Sequence, residues 1–126
     1  MVHTHAPYAT SFAVSNKPIP FILIEMCKSI GGNIPVAGFG IPGTKKVGEE
    51  AVKALNERNA CLLQNHGVVT IGRDLDEAYT RMLYVEDVAK VYHFAIANGS
   101  IDVIDDEYQK IMLNRGKEKI EYVARG

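Results

Sequence analysis

The chain has 126 residues, 47% of them hydrophobic, with a formal net charge of -1. That is the apolar fraction of one globular domain, and the charge balance gives no electrostatic case for nucleic acid or an anionic membrane surface as partner. No run approaches the ~18 apolar residues of a membrane span, and nothing near Met1 has the basic, apolar and small-residue order of a secretory signal. Cys27 and Cys61 each sit among aliphatic residues, which reads as reduced thiols in a cytoplasmic protein, and they lie too far apart for a zinc knuckle.

In chain order, Met1 to His5 reads as a strand that begins abruptly. Pro7 suits the first turn of a helix whose Tyr8, Ala9, Phe12 and Ala13 recur at helical spacing until Asn16-Lys17-Pro18 stops it. From Pro20 to Ile30 the signals conflict. Ile22 and Ile24 favour a strand, while Met26, Lys28 and the terminating Gly31-Gly32 favour a helix end, so a strand running into a short helix is expected. Ile34 to Phe39 reads as a short edge strand and Gly40 to Gly43 as a loop. Thr44 can cap a helix carrying Val47, Ala51, Ala54 and Leu55 on one stripe.

Ala60 to Gln64 and Val68 to Ile71 are two β segments around the turn Asn65-His66-Gly67, whose glycine can accept unusual dihedrals. The strongest helical pattern runs from Asp74 to Asn98. Asp74 and Glu77 make a capping-box-like start, Leu75, Ala78, Met82, Val85, Ala89, Tyr92 and Ile96 recur every three or four residues, and Gly99 closes it. A last helix is expected over Asp105 to Asn114, with the tail from Lys117 to Gly126 unassigned. There are no repeats and no linker.

The chemistry concentrates in the histidines. His3 and His5, spaced i, i+2 on a strand, share a face while Thr4 points away. His66 interrupts a hydrophobic run far downstream. Three neutral imidazoles with an open position make a catalytic zinc arrangement. A His-x-His pair alone is more often incidental, since histidine is common in partly buried structure. His93 sits beside the Tyr92 stripe and reads as a rim or surface histidine. Asp105, Asp106 and Glu107 suit the first turn of a helix and carry no metal assignment.

Val2-His3-Thr4-His5-Ala6-Pro7-Tyr8-Ala9-Thr10, then Ile19-Pro20, Gly43-Thr44, Leu62-Leu63-Gln64-Asn65-His66-Gly67 and the long helix with Glu86 and Lys90 resemble, in order, the class II aldolase/adducin family, and within it the L-fuculose-phosphate aldolase group. The resemblance covers only the C-terminal part of that family's domain. It implies an α/β fold, a three-layer α/β/α sandwich with a mostly antiparallel central sheet, of which residues 1-126 are the C-terminal segment and the N-terminal portion is missing. It also implies a homo-oligomer, with a tetramer favoured, acting on a small-molecule sugar phosphate.

By the same resemblance His3, His5 and His66 hold Zn²⁺, and the reaction is retro-aldol cleavage of a ketose 1-phosphate to dihydroxyacetone phosphate and an aldehyde. The family's glutamate acid/base and its phosphate-holding groups belong to the N-terminal part, outside this chain. The tyrosine that the aldolases carry after the Ile-Pro pair is absent from Phe21 to Met26. Glu25 lies near its position and Tyr122 in the tail is a second candidate for acid/base duty. A solvated or salt-bridged carboxylate and a packing tyrosine are the plainer readings of the two. Related sugar-phosphate epimerases and dehydratases share the fold, and a non-catalytic adducin-like interaction module is the alternative from another class.

Overall fold

The computed structural model describes residues 1–125, and side chains as far as Arg115. It is a mixed α/β fold. The elements in chain order are β1 (Val2–Thr4), α1 (Pro7–Val14), α2 (Met26–Ser29), β2 (Val36–Ala37), α3 (Lys45–Leu55), β3 (Ala60–Leu63), β4 (Gly67–Thr70), α4 (Leu75–Ala97) and α5 (Asp106–Arg125). The four strands form one sheet in the order β1-β4-β3-β2.

The sheet is mixed rather than mostly antiparallel. β1 and β3 both run antiparallel to β4, whereas β2 runs parallel to β3. The difference follows from the connections: β3 and β4 are joined by a tight turn, but β2 reaches β3 through α3, and a helical crossover returns a strand in the same direction.

Strand alternation separates two apolar clusters. Ala60, Leu62 and Val68 lie in the larger cluster with Ala9, Phe12 and Ala13 of α1 and Met82, Val85, Val88 and Ala89 of α4. Their alternates Cys61, Leu63 and Val69 join Ala37 in a second cluster covered by Ala51, Ala54 and Leu55 of α3. Thr70, fully buried, donates its hydroxyl to the Ala78 carbonyl at 2.7 Å, so the polar group in the core is satisfied.

Several expectations shift. No strand forms between Pro20 and Ile30. Pro20 has no N–H to give a ladder, and Ile19 instead makes a single bridge to Ile34. Phe21 and Met26 then turn inward while Ile24 stays 67% exposed, a loop ending in the short helix α2. Thr44 precedes α3 but makes no capping bond; its hydroxyl donates to the Ile41 carbonyl. In α4 the Asp74 carboxylate accepts from the Glu77 amide at 2.8 Å as the capping pattern requires. The Glu77 carboxylate binds the Arg73 amide, one residue further out than a full box. Leu75, counted in the apolar stripe, is exposed. The last helix extends well beyond Asn114, to Arg125. Among the described residues, no helix is long and apolar enough to cross a membrane.

Both cysteines are free, Cys61 buried and Cys27 half-buried. Burial pushes the Cys61 thiol up from 9.0 to about 11, because the thiolate would lose its hydration. The folded value exceeds the unfolded one, so the stabilisation is complete below about pH 9 and is lost as the pH rises through 11. Denaturation profiles of wild type and Cys61→Ala should therefore converge over that interval. Leu62→Ala should cost about 2–5 kcal/mol in urea unfolding, against less than about 0.5 kcal/mol for Val52→Ala on the exposed side of α3.

Candidate metal centre

The first two histidines owe their placement to β1. Val2 packs on the larger core cluster and the Thr4 hydroxyl donates to Met82 Sδ at 3.1 Å, so both side chains face α4. Alternation turns His3 to the opposite face. There α3 packs chiefly against β2 and β3, and His3 remains accessible to solvent. His5 follows immediately after the strand.

The third comes from the turn Gln64-Asn65-His66 between β3 and β4. Asn65 takes a left-handed φ of 59°, which asparagine tolerates better than most residues. The turn is fastened by the His66 amide donating to the Leu63 carbonyl at 2.9 Å and the Asn65 amide donating to the Ala13 carbonyl at 3.1 Å. Gly67, by contrast, has an ordinary φ. What requires a glycine there is the close passage of β1: a Cβ would collide with the Thr4 carbonyl oxygen, lie 2.8 Å from His5 Cδ2 and 3.3 Å from His3 Cε1. The unusual dihedral expected of Gly67 belongs to Asn65.

The register Val2↔Thr70, His3↔Val69, Thr4↔Val68 closes the site. His3, His5 and His66 each offer one nitrogen, and these atoms all lie within 4.8 Å of one another. The ring centroids are 4.6 to 5.1 Å apart. His3 Nδ1 lies 2.9 Å from the Val68 carbonyl oxygen. A carbonyl only accepts, so Nδ1 carries the proton and the lone pair sits on Nε2. That Nε2 is 3.3 Å from Nε2 of His66. Two nitrogens bound at 2.0 to 2.1 Å to one tetrahedral ion such as Zn²⁺ would stand about 3.3 to 3.4 Å apart, so the spacing of this pair fits such an ion, with His5 within 4.8 Å of both. The pKa of His66 is lowered, first by loss of hydration and then by repulsion from His3 and His5, which favours the neutral ring that a metal needs.

The other candidates lie elsewhere. Glu25 is exposed at the start of α2 and is not among the groups that converge with the histidines. Its charge acts on Tyr84 of α4, whose hydroxyl is buried without a hydrogen-bond partner among the described residues and is pushed up to about 12 by that burial, with Glu25 and Asp87 adding to the shift. The side chain of Tyr122 falls outside the described residues. His93 stands at the edge of the Tyr8 ring, with centroids 5.5 Å apart. The Val68 carbonyl that orients His3 was invisible in the sequence, because a backbone acceptor carries no residue-type signal and only the β1–β4 register reveals it.

Gly67→Ala should displace β1 from the turn. A loss of about 1–3 kcal/mol in stability, typical of overpacking, together with shifted His3 and His5 ring resonances, is the expected result of thermal unfolding and NMR.

Residues 1–93 match the family described as Class II Aldolase and Adducin N-terminal domain. The chain is 32% identical over 118 residues to the L-fuculose phosphate aldolase of Escherichia coli O6:H1, an alignment covering 93% of this chain and 55% of that one. It is 30% identical over 113 residues to the 5-methylthioribulose-1-phosphate/5-deoxyribulose-1-phosphate aldolase of Rhodospirillum rubrum, covering 89% and 51% respectively. A solved L-fuculose 1-phosphate aldolase superposes with a TM-score of 0.84 at 34% identity, covering 91% of this chain and 54% of the other. The chain thus spans about half the length of the curated relatives it matches. With the family match extending from β1 through the turn of His66 and along α4, this chain belongs to the class II aldolase and adducin family.

Proposed function

We propose that this chain carries the metal-binding part of a zinc-dependent sugar-phosphate aldolase acting on a ketose 1-phosphate similar to L-fuculose 1-phosphate, with His3, His5 and His66 as the metal ligands. The observation that carries the reading is the convergence of three imidazole nitrogens within 4.8 Å, two of them already at a tetrahedral spacing of 3.3 Å. An interaction module with no catalytic duty would have no use for such a set. The relatives named as aldolases of fuculose, methylthioribulose and deoxyribulose phosphates support a phosphorylated ketose as substrate.

When bound, a divalent cation supplies Lewis-acid stabilisation of the negative charge that develops on the ketose fragment as its carbon–carbon bond breaks. The chain's own residues hold and orient that ion: the Val68 carbonyl keeps the proton of His3 on Nδ1, and the close passage of β1 over Gly67 keeps His5 beside His66. A ring whose lone pair is committed to a metal cannot also shuttle protons, so the acid/base steps fall to groups outside the triad. The packing of α3 on one apolar cluster and of α1 with α4 on the other supports a three-layer arrangement. The exposed row Leu75, Tyr79 and Leu83 along α4 supports assembly into a homo-oligomer, a tetramer by family likeness, in a cytoplasmic setting.

His66→Ala should abolish stoichiometric zinc binding, and unchanged metal content in that variant would remove the reading. Because imidazoles must be neutral to coordinate, zinc affinity should fall as the pH drops below about 6.5. His66, with its lowered pKa, resists protonation longest in comparison with an ordinary histidine. In a coupled assay for dihydroxyacetone phosphate, the 126-residue chain should turn over at least ~10²-fold more slowly than the full-length Escherichia coli relative, the usual cost of a missing positioned acid/base. Comparable turnover would place that group within this chain.

A further inference from the structure

His5 has no strand pairing of its own to hold it. It lies between Thr4, the end of β1, and Pro7, the start of α1, so its position depends on how the two flanking segments are fixed. The first turn of a helix presents amides with no intrahelical partner, and Ala6 at the N-cap has no side-chain oxygen to give them. Pro7 has no N–H. The first intrahelical bond runs from the Thr10 amide to the Ala6 carbonyl at 2.8 Å, which leaves the amides of Tyr8 and Ala9. Both are taken by one carboxylate from a distant element: Glu86 Oε2 accepts from Tyr8 at 3.2 Å and Oε1 from Ala9 at 2.8 Å. Its negative charge also suits the positive end of the α1 dipole.

Glu86 is one member of a row along α4 spaced at four residues. Met82, one turn earlier, accepts from the Thr4 hydroxyl at 3.1 Å. Lys90, one turn later, places Nζ 5.8 Å from the Tyr8 ring centroid, and Phe94 follows at 6.4 Å between centroids. The row therefore grips the chain on both sides of His5, with the two strongest bonds in the middle, at Glu86. We infer that Glu86 is a positioning residue for His5, capping α1 from α4 so that the His5 imidazole is presented to the nitrogens of His3 and His66. The inference rests on the metal-site reading above.

Co²⁺ serves as the probe, since its visible absorption reports both affinity and ligand geometry. Wild type, Glu86→Ala, Glu86→Gln and Val88→Ala would be titrated at a temperature where all four are folded. Val88 is a fully buried core residue of the same helix and controls for lost stability alone. Removing an outer-shell partner typically weakens metal binding 10- to 100-fold, so Glu86→Ala should raise the Co²⁺ Kd at least tenfold and alter the spectrum. Glu86→Gln, which keeps one acceptor oxygen, should fall between, and Val88→Ala should bind as wild type does. Equal Co²⁺ affinity in wild type and Glu86→Ala, or an equal loss in Val88→Ala, would overturn the inference.

If wild type itself takes up no Co²⁺, the metal reading fails, and the placement of His5 is then read from the metal-free protein. There the Tyr8 and Ala9 amides of Glu86→Ala, or of Glu86→Gln should the alanine variant not fold, should exchange at least tenfold faster, with a shifted His5 ring resonance. Unchanged exchange and an unmoved His5 resonance would overturn the role of Glu86 independently of any metal.

Discussion

The antiparallel pairing of β1 with β4 is the constraint on which the site depends. It places His3 opposite Val69 and lays the Thr4 carbonyl directly over Gly67, so two histidines at the start of the chain meet a third more than sixty residues later. The pairing is short, only three residues in β1. Three ladder positions on an edge strand hold little free energy by themselves. What secures them is the alternation on the inner side, where Val2 and Thr4 are anchored against α4 while His3 is left outward. A register slip of one residue would exchange these roles and bury the histidine against the core.

Electrostatics then act on a cluster that geometry has already made. For His66, loss of hydration disfavours protonation most strongly, and repulsion from His3 and His5 acts in the same direction. Neither effect requires a buried carboxylate nearby, and the exposed positions of His3 and His5 keep the desolvation cost of gathering the three rings small. The Val68 carbonyl contributes differently: it selects a tautomer rather than a charge state, and so decides which nitrogen of His3 faces the other two.

Much of this was legible in the residues. The i, i+2 spacing of His3 and His5 gave their common face, the segments Ala60 to Gln64 and Val68 to Ile71 gave β3 and β4 to within a residue at each end, with a turn between them, and the apolar period gave the long helix almost to the residue at both ends. Local signals failed where tertiary context decided. The Ile22 and Ile24 alternation does not form a strand, because Pro20 interrupts any ladder and Phe21 is drawn into the core. Thr44 has the residue type of a cap but spends its hydroxyl on Ile41. The direction of β2 was not readable either, since a two-residue strand carries no pattern, and only the helical crossover of α3 fixes it as parallel. Gly67 shows the same limit in another form: a glycine needed for close approach looks, in sequence, like one needed for its dihedrals.

The three histidines are held by three unlike devices, and this shapes how the site responds to change. His3 is fixed by a strand ladder and by a bond from its own ring. His66 is fixed by a turn whose strain sits on Asn65 and whose amides are tied to Leu63 and Ala13. His5 has neither, and depends on segments at either side that are fastened to α4. Perturbing α4 should therefore reach the site mainly through His5, whereas perturbing the hairpin should reach all three, because Gly67 lies close under both His3 and His5 and directly follows His66. The hairpin is thus the shared support and α4 the adjustable one. Such a division lets the long helix vary its outer surface while His3 and His66 keep their 3.3 Å spacing.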